Sequence, residues 1–530
     1  MGRRGDPGVA AADAQLTQQS TAPGETAPGR QGTWLVWAGS LVTLAGALHL
    51  AFWYWPGAVP LDVTSGVWTA LARDFSAGIL YRPVFGPAGY GGTRYMPLFF
   101  LAHGGLIRLG VDPVAAGLAL TVVSAVLFDA ALYFALRELG VRRALAIPLS
   151  VLGHATLSVQ LLTLATKCDL LASALNLGGI ALALRYLRRP RATTLALTVV
   201  ALAAAIFTKL TTVSGAIAAI ALLGAQRGRR PALAFAIGLA VLLPALFGAL
   251  FAASDGRVWS SMLAVGSGGA SASYAARFPF WFALAIVEDP FDLLIFLASL
   301  YYAVRETRRR NLSFALGYFW LAVAVTAPVF ASPGTDNNHL IDLLGASILL
   351  LGHVCEQRPD SARLAMALPA ALAGLAALSW LPGMVSIGSV IAGMGRPERR
   401  TIAAIVERAG PADRILSENP LIPVLAGARP FLSDPFSLHI LARTLPEVRA
   451  DFTRRLTEGD FPTVVLVDWS ASDSAHAMAA LRSRSDRGVD RFYGEVRFTE
   501  DFLDLLDRNY VVSRVEHPFV VFERRPERDR

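Results

Sequence analysis

Charge and cysteine are what this sequence lacks most. Only 17% of its 530 residues are charged against 54% hydrophobic, and the mean hydropathy is +0.48. That balance excludes an ordinary soluble domain and places the chain among polytopic membrane proteins. The two cysteines, Cys168 and Cys355, fall on opposite membrane faces in the topology below and make no CxxC pair. Neither a disulfide nor a thiolate metal site is therefore expected. Lysine is scarce beside arginine. The net charge of +8 comes from arginines in short clusters between apolar blocks, the pattern that orients a membrane protein and not one that grips nucleic acid.

The first 32 residues are polar and rich in Gly, Ala and Pro, which reads as a disordered cytoplasmic tail. An apolar run at 34–53 is long enough to cross a hydrocarbon core of about 30 Å at about 1.5 Å per residue. It is expected to serve as an uncleaved anchor. Arg3, Arg4 and Arg30 put the N-terminus in the cytoplasm, and the arginines at 137–143, 188–191, 227–230, 308–310 and 358–363 then share that face. The short block 98–109 is expected to be a juxtamembrane or re-entrant helix on the outer side. Further spans are expected at 114–136, 145–164, 170–187, 195–207, 210–224, 232–252, 282–304, 314–330, 340–354 and 365–381.

The fold class is thus a polytopic α-helical membrane protein with about eleven transmembrane helices inside residues 33–382. Residues 383–530 change in composition and read as a small extracytoplasmic α/β domain. A helix is expected at 398–409, strands at 414–417, 429–432 and 464–467, a helix at 502–506, and a closing β pair at 510–515 and 519–523.

Chemistry concentrates between the spans on the outer face. The loop 54–97 holds Asp62, Asp74, Arg73, Arg82 and Arg94 among aromatics and glycines, and a loop of that length is usually functional. Leu61, Val63, Val67, Leu71 and Phe75 recur at helical spacing, so part of it is expected to lie as an amphipathic helix along the bilayer surface. Lys167 and Asp169 stand at one outer mouth, Lys209 at a second, and Asp336-Asn337-Asn338-His339 at a third. Ionisable groups beside apolar spans are costly and often functional. Blander roles compete with each: Asp62 and Asp169 as helix caps, the lysines as interfacial snorkelers, His339 as a packed core histidine.

With Asp62 in place, Gly78-Ile79-Leu80-Tyr81 and Tyr95-Met96-Pro97-Leu98 resemble the first outer loop of GT-C glycosyltransferases. More narrowly they resemble the bacterial branch related to protein O-mannosyltransferases and the lipid A aminoarabinose transferase. Those enzymes carry an acid in the first outer loop and often another in the second, and Asp62 and Asp169 fall in those places. Thr208-Lys209 and Asn338-His339 also look like features of the branch. Met96-Pro97 departs from the family's Pro-Pro, and Asp62 stands alone where the mannosyltransferases have an Asp-Glu pair. The resemblance covers roughly residues 34–380.

What it implies is a transfer, with inversion, from a polyprenyl-phosphate sugar to an acceptor hydroxyl of a lipid, polysaccharide or protein in the cell inner membrane. Asp62 is then the general base. Lys167, Lys209, Arg82 and Arg94 hold the donor phosphate, and Tyr81, Tyr95, Asn338 and His339 line the substrate site. Asp169 is a second catalytic acid or the ligand of a divalent metal, Mg or Mn, should the site use one. A transporter or flippase of a lipid-linked saccharide is the main competing expectation. The sequence shows no paired half-repeat, and its ionisable residues gather at one face and not at the midplane.

Overall fold

A computed structural model describes residues 63–266, 270–357, 399–409, 414–468, 470–485 and 500–526. The expected spans at 34–53 and 365–381, the boundary at 383 and Asp62 itself lie outside the described residues. Fifteen helices form the first part: α1 (Val63–Ser76), α2 (Leu98–Arg108), α3 (Pro113–Glu138), α4 (Arg143–Val151), α5 (Leu157–Leu164), α6 (Asp169–Arg188), α7 (Ala192–Thr208), α8 (Ser214–Arg227), α9 (Arg229–Ala253), α10 (Arg257–Val265), α11 (Ala272–Ala276), α12 (Phe278–Glu288), α13 (Pro290–Arg308), α14 (Phe314–Val329) and α15 (Ile341–Gln357). A two-stranded ribbon, β1 (Phe85–Gly86) and β2 (Gly89–Tyr90), lies between α1 and α2.

Among the described residues four helical segments are long and apolar enough to cross a membrane: α3, α6, α9 and Asn337–Gln357, which takes in α15. A bent pair, Arg143–His154 with Ser158–Leu164, makes a fifth if taken as one span, and α2, α7, α12 and α14 are shorter apolar helices. The protein is multi-pass, but the described residues do not reach the expected eleven crossings.

Two expected spans are broken, each for a local reason. The run 145–164 turns by 71° at a 3-10 turn over Leu152–Ala155, after which Thr156 accepts from the Val159 N–H and starts α5. The run 282–304 is cut at Asp289-Pro290. Asp289 accepts from the Phe291 N–H and proline takes the first helical position, where its missing N–H costs nothing.

Most of the helices share a core that runs from Phe128 through Leu177 and Leu202 to Phe319 and Leu349, while α1 and α2 pack in a second one around Trp68 and Phe99. Large apolar side chains such as Val126, Phe134, Leu233, Ile237 and Val241 stay exposed, as suits helices that span a bilayer. The C-terminal ends of α3, α6 and α15 are tied together: Arg142 N–H, just before α4, donates to Glu356 of α15, and Arg188 of α6 pairs with Glu138 of α3 at 3.5 Å.

The C-terminal unit is a four-stranded mixed sheet in the order β3-β4-β6-β5, made of β3 (Ile415–Ser417), β4 (Thr463–Val467), β5 (Tyr510–Glu516) and β6 (Phe519–Arg524). β3 runs parallel to β4 and the other pairs are antiparallel. β4 is buried along its whole length, as its unbroken apolar sequence requires. Residues 429–432 form no strand of this sheet; Leu432 instead makes an isolated bridge to Tyr90.

That bridge marks where the two parts join. Tyr90 is fully buried in the C-terminal core, between the rings of Phe431 and Phe452, and donates its hydroxyl to Asp451 at 2.7 Å. Gly89 has φ +112, and a Cβ there would stand 2.0 Å from the Phe431 carbonyl oxygen, so only glycine fits. α1 is buried on nearly every side and does not lie free on a bilayer surface. Its Gly66 approaches Asn419 so closely that a Cβ would be 2.2 Å from Oδ1.

Arg82 and Asp74 close this junction with two hydrogen bonds, at 2.6 and 2.8 Å, and a third from Arg82 to the Pro430 carbonyl at 2.5 Å. Both side chains are almost fully buried. Removing one partner of such a pair costs about 3–5 kcal/mol. Asp74→Ala is therefore expected to lower the melting temperature of the purified protein clearly, and Asp74→Ala with Arg82→Ala to recover part of the loss. A single variant that melts like wild type would remove the pair from the junction.

Candidate functional site

A cavity of about 760 Å³ opens where the arginine-poor helix ends converge beneath the C-terminal unit. Lys167, Cys168 and Asp169 enter it from the start of α6, Thr208 and Lys209 from the end of α7, and Asn338 and His339 from the turn before α15. Arg94 and Tyr95 come from the loop before α2, and Thr64 and Trp68 from α1. The remaining flank is apolar, made by Phe247 of α9 and by Trp259, Met262 and Leu263 of α10. Trp259 and Leu263 are exposed outward as well. The cavity therefore has a charged end and a greasy side.

Lys167 and Lys209 are the only lysines in the chain, and both line the cavity. Lys209 Nζ lies 2.5 Å from Asp169 Oδ1, and Asn338 Nδ2 donates to the same oxygen at 2.9 Å. Lysine caps the C-terminus of α7 and aspartate begins α6, so each charge sits at the helix end whose dipole favours it. One ion pair thus ties α6, α7 and the turn before α15 together.

A second polar layer lies behind this one, where Asp342 accepts from Ser173 at 2.8 Å and from Asn176 at 3.3 Å. Asn176 also donates to Tyr318 at 3.1 Å. Sequence reasoning missed the layer. Its signal is there, in the helical spacing of Asp169, Ser173 and Asn176 and in an aspartate in the first turn of an apolar helix.

The remaining candidates fall elsewhere. Arg82 does not line the cavity, because its guanidinium is held by Asp74 and Pro430 at the junction. Tyr81 is buried behind the cavity wall, donating its hydroxyl to the Tyr95 carbonyl at 2.8 Å and so fixing Tyr95, whose ring lies 4.6 Å from that of Trp68. Burial, and then the neighbouring Asp169 carboxylate, hold the Cys168 thiol well above its ordinary range, which makes it a poor nucleophile. Among the described residues no group of three or more His, Cys, Asp or Glu could hold a metal. The partners of Asp169 are an ammonium and an amide donor, a set that does not fit a divalent cation.

These features define a class: a multi-pass α-helical membrane protein with a C-terminal α/β unit beside a charged cavity. Solved structures that resemble it include the following. ArnT from Cupriavidus metallidurans bound to undecaprenyl phosphate matches with TM-score 0.58 and 13% identity over 91% of this chain and 97% of that one. The apo form of the same protein matches at 0.53 with 15% identity over the same shares. ArnT is the lipid A aminoarabinose transferase. An Archaeoglobus fulgidus oligosaccharyltransferase tethered to an acceptor peptide gives 0.49 at 12% identity, over 90% of this chain and 72% of that one. No family model and no curated protein sequence matches.

With two lysines in the chain, amine-reactive labelling reads this site directly. Lys209 must leave Asp169 to react, so Asp169→Asn is expected to raise its labelling rate several-fold relative to Lys167, measured by peptide mass spectrometry. An unchanged ratio would mean that the ion pair does not restrain the amine.

Proposed function

We propose that this protein is an integral-membrane glycosyltransferase that moves a sugar from a polyprenyl phosphate to an acceptor hydroxyl on the extracytoplasmic face. The observation that carries this is the meeting of both lysines, Arg94 and Asp169 at one end of a cavity whose flank is apolar. A polyprenyl-phosphate sugar has that same division, an anion joined to a long hydrocarbon. The fold shared with ArnT supports the class of reaction, and the undecaprenyl phosphate in that protein suggests the class of donor.

In this proposal the acceptor oxygen attacks the anomeric carbon as the bond to the phosphate oxygen breaks. The phosphate leaves with the electron pair and needs little acid assistance. Positive charge prepared at the leaving group lowers the barrier, and Lys167, Lys209 and Arg94 provide it. Ammonium groups suit this place because they are compact point charges that can follow a phosphate as it departs.

The proton of the acceptor goes to a carboxylate. Asp62, the residue just before α1, is assigned that role, since Thr64 and Trp68 of the same helix line the cavity. Asp169 orients the acceptor and holds Lys209 in place. Attack opposite the leaving group inverts the anomeric centre. Tyr95, Asn338 and His339 border the sugar.

Asp62→Asn is expected to abolish transfer in proteoliposomes while the protein stays folded. Wild-type turnover in that variant would dismiss the base assignment. Lys209→Ala should raise the KM for donor far more than that for acceptor. Polyprenyl phosphate should also shield Lys167 and Lys209 from amine labelling, and labelling at the same rate with and without it would count against the donor site.

A further inference from the structure

Arg94 differs from the two lysines in the origin of its support. Lys209 is held by Asp169 at the start of α6, whereas the Arg94 guanidinium lies 5.0 Å over the centre of the Phe436 ring, which belongs to the C-terminal unit. On its other side it donates to Ser332 Oγ at 3.0 Å, in the segment between α14 and α15. Phe436 is buried and does not border the cavity; it backs the wall from behind.

The place of that ring is set by the sequence around it. Asp434 accepts from the Phe436 N–H at 3.0 Å and from the Ser437 hydroxyl at 2.8 Å, and Pro435 occupies the first helical position. The helix Pro435–Thr444 therefore starts at one defined residue. Burial pushes the Asp434 carboxyl up, while Ser437 and the nearby Arg94 charge act in the opposite direction. The strand segment before Arg94 is anchored in the same unit through Tyr90, so the guanidinium and the ring approach from a single rigid junction.

We propose that Phe436 is a positioning residue: its ring holds the Arg94 guanidinium at the cavity wall, so that the affinity of the cavity for a phosphate depends on the docked C-terminal unit. This rests on the proposed donor site and adds a part for the C-terminal unit in it. An aromatic face attracts a cation more strongly where both are shielded from water, and an aliphatic side chain of similar bulk would fill the space without that attraction.

The test is a double-mutant cycle on the full-length protein in nanodiscs, titrated with undecaprenyl phosphate. Phe436→Leu is expected to weaken binding by about tenfold, in keeping with a desolvated cation–π contact, and Phe436→Trp to retain most of the affinity. Arg94→Gln should weaken binding by itself, and adding Phe436→Leu to it should cost nothing further. A Phe436→Leu loss of equal size in the Arg94→Gln background would overturn the inference, because the ring would then act through packing alone. Unchanged affinity in Phe436→Leu would overturn it too. Wild type that binds no undecaprenyl phosphate would remove the donor site itself, and the inference with it.

Discussion

Lys209 against Asp169 is the contact on which the rest of the site depends. Two opposite charges 2.5 Å apart, both largely withdrawn from solvent, are tolerable only because each neutralises the other and the helix ends on which they stand favour them. The pair brings the C-terminus of one helix to the N-terminus of another, and Asn338 recruits a third segment. Without that convergence the cavity would lose its charged end. Lys167, two residues before Asp169, is delivered by the same helix start.

The second constraint is the way the first loop is pinned. Tyr90 and Arg82 are both held by the C-terminal unit, and Tyr81 fixes Tyr95 from within the loop. A segment rich in glycine would otherwise sample many conformations, and ordering it in advance removes that entropic cost from ligand binding. The C-terminal unit is therefore coupled to the cavity through packing, although its own side chains form little of the lining.

Much of the site was legible in the sequence because ionisable groups beside apolar spans are rare. Lys167, Asp169, Lys209, Asn338 and His339 stand out on that ground, and all five line one cavity. Arg82 shows the limit of such reasoning. Its charge suggested a phosphate, but charge does not reveal a partner, and Asp74 eight residues earlier takes up the guanidinium. The amphipathic pattern after Asp62 did announce a helix. It could not tell whether lipid or protein would cover it, since both accept an apolar face. The closing β pair and the buried strand β4 were recognisable from periodicity, whereas residues 429–432 pair across the junction with Tyr90, a contact of high sequence separation that no local pattern encodes. The breaks at Thr156 and Asp289-Pro290 follow from capping signals that hydropathy alone passes over.

The central claim is that the charged end of the cavity binds the phosphate of a lipid whose tail leaves past α9 and α10. An electron cryomicroscopy structure of the protein in nanodiscs saturated with undecaprenyl phosphate addresses it most directly. The account predicts phosphate density within hydrogen-bond reach of Lys167 and Lys209 and tail density alongside Phe247, Trp259 and Leu263. Phosphate bound elsewhere on the protein, or a cavity empty at saturation, would contradict it.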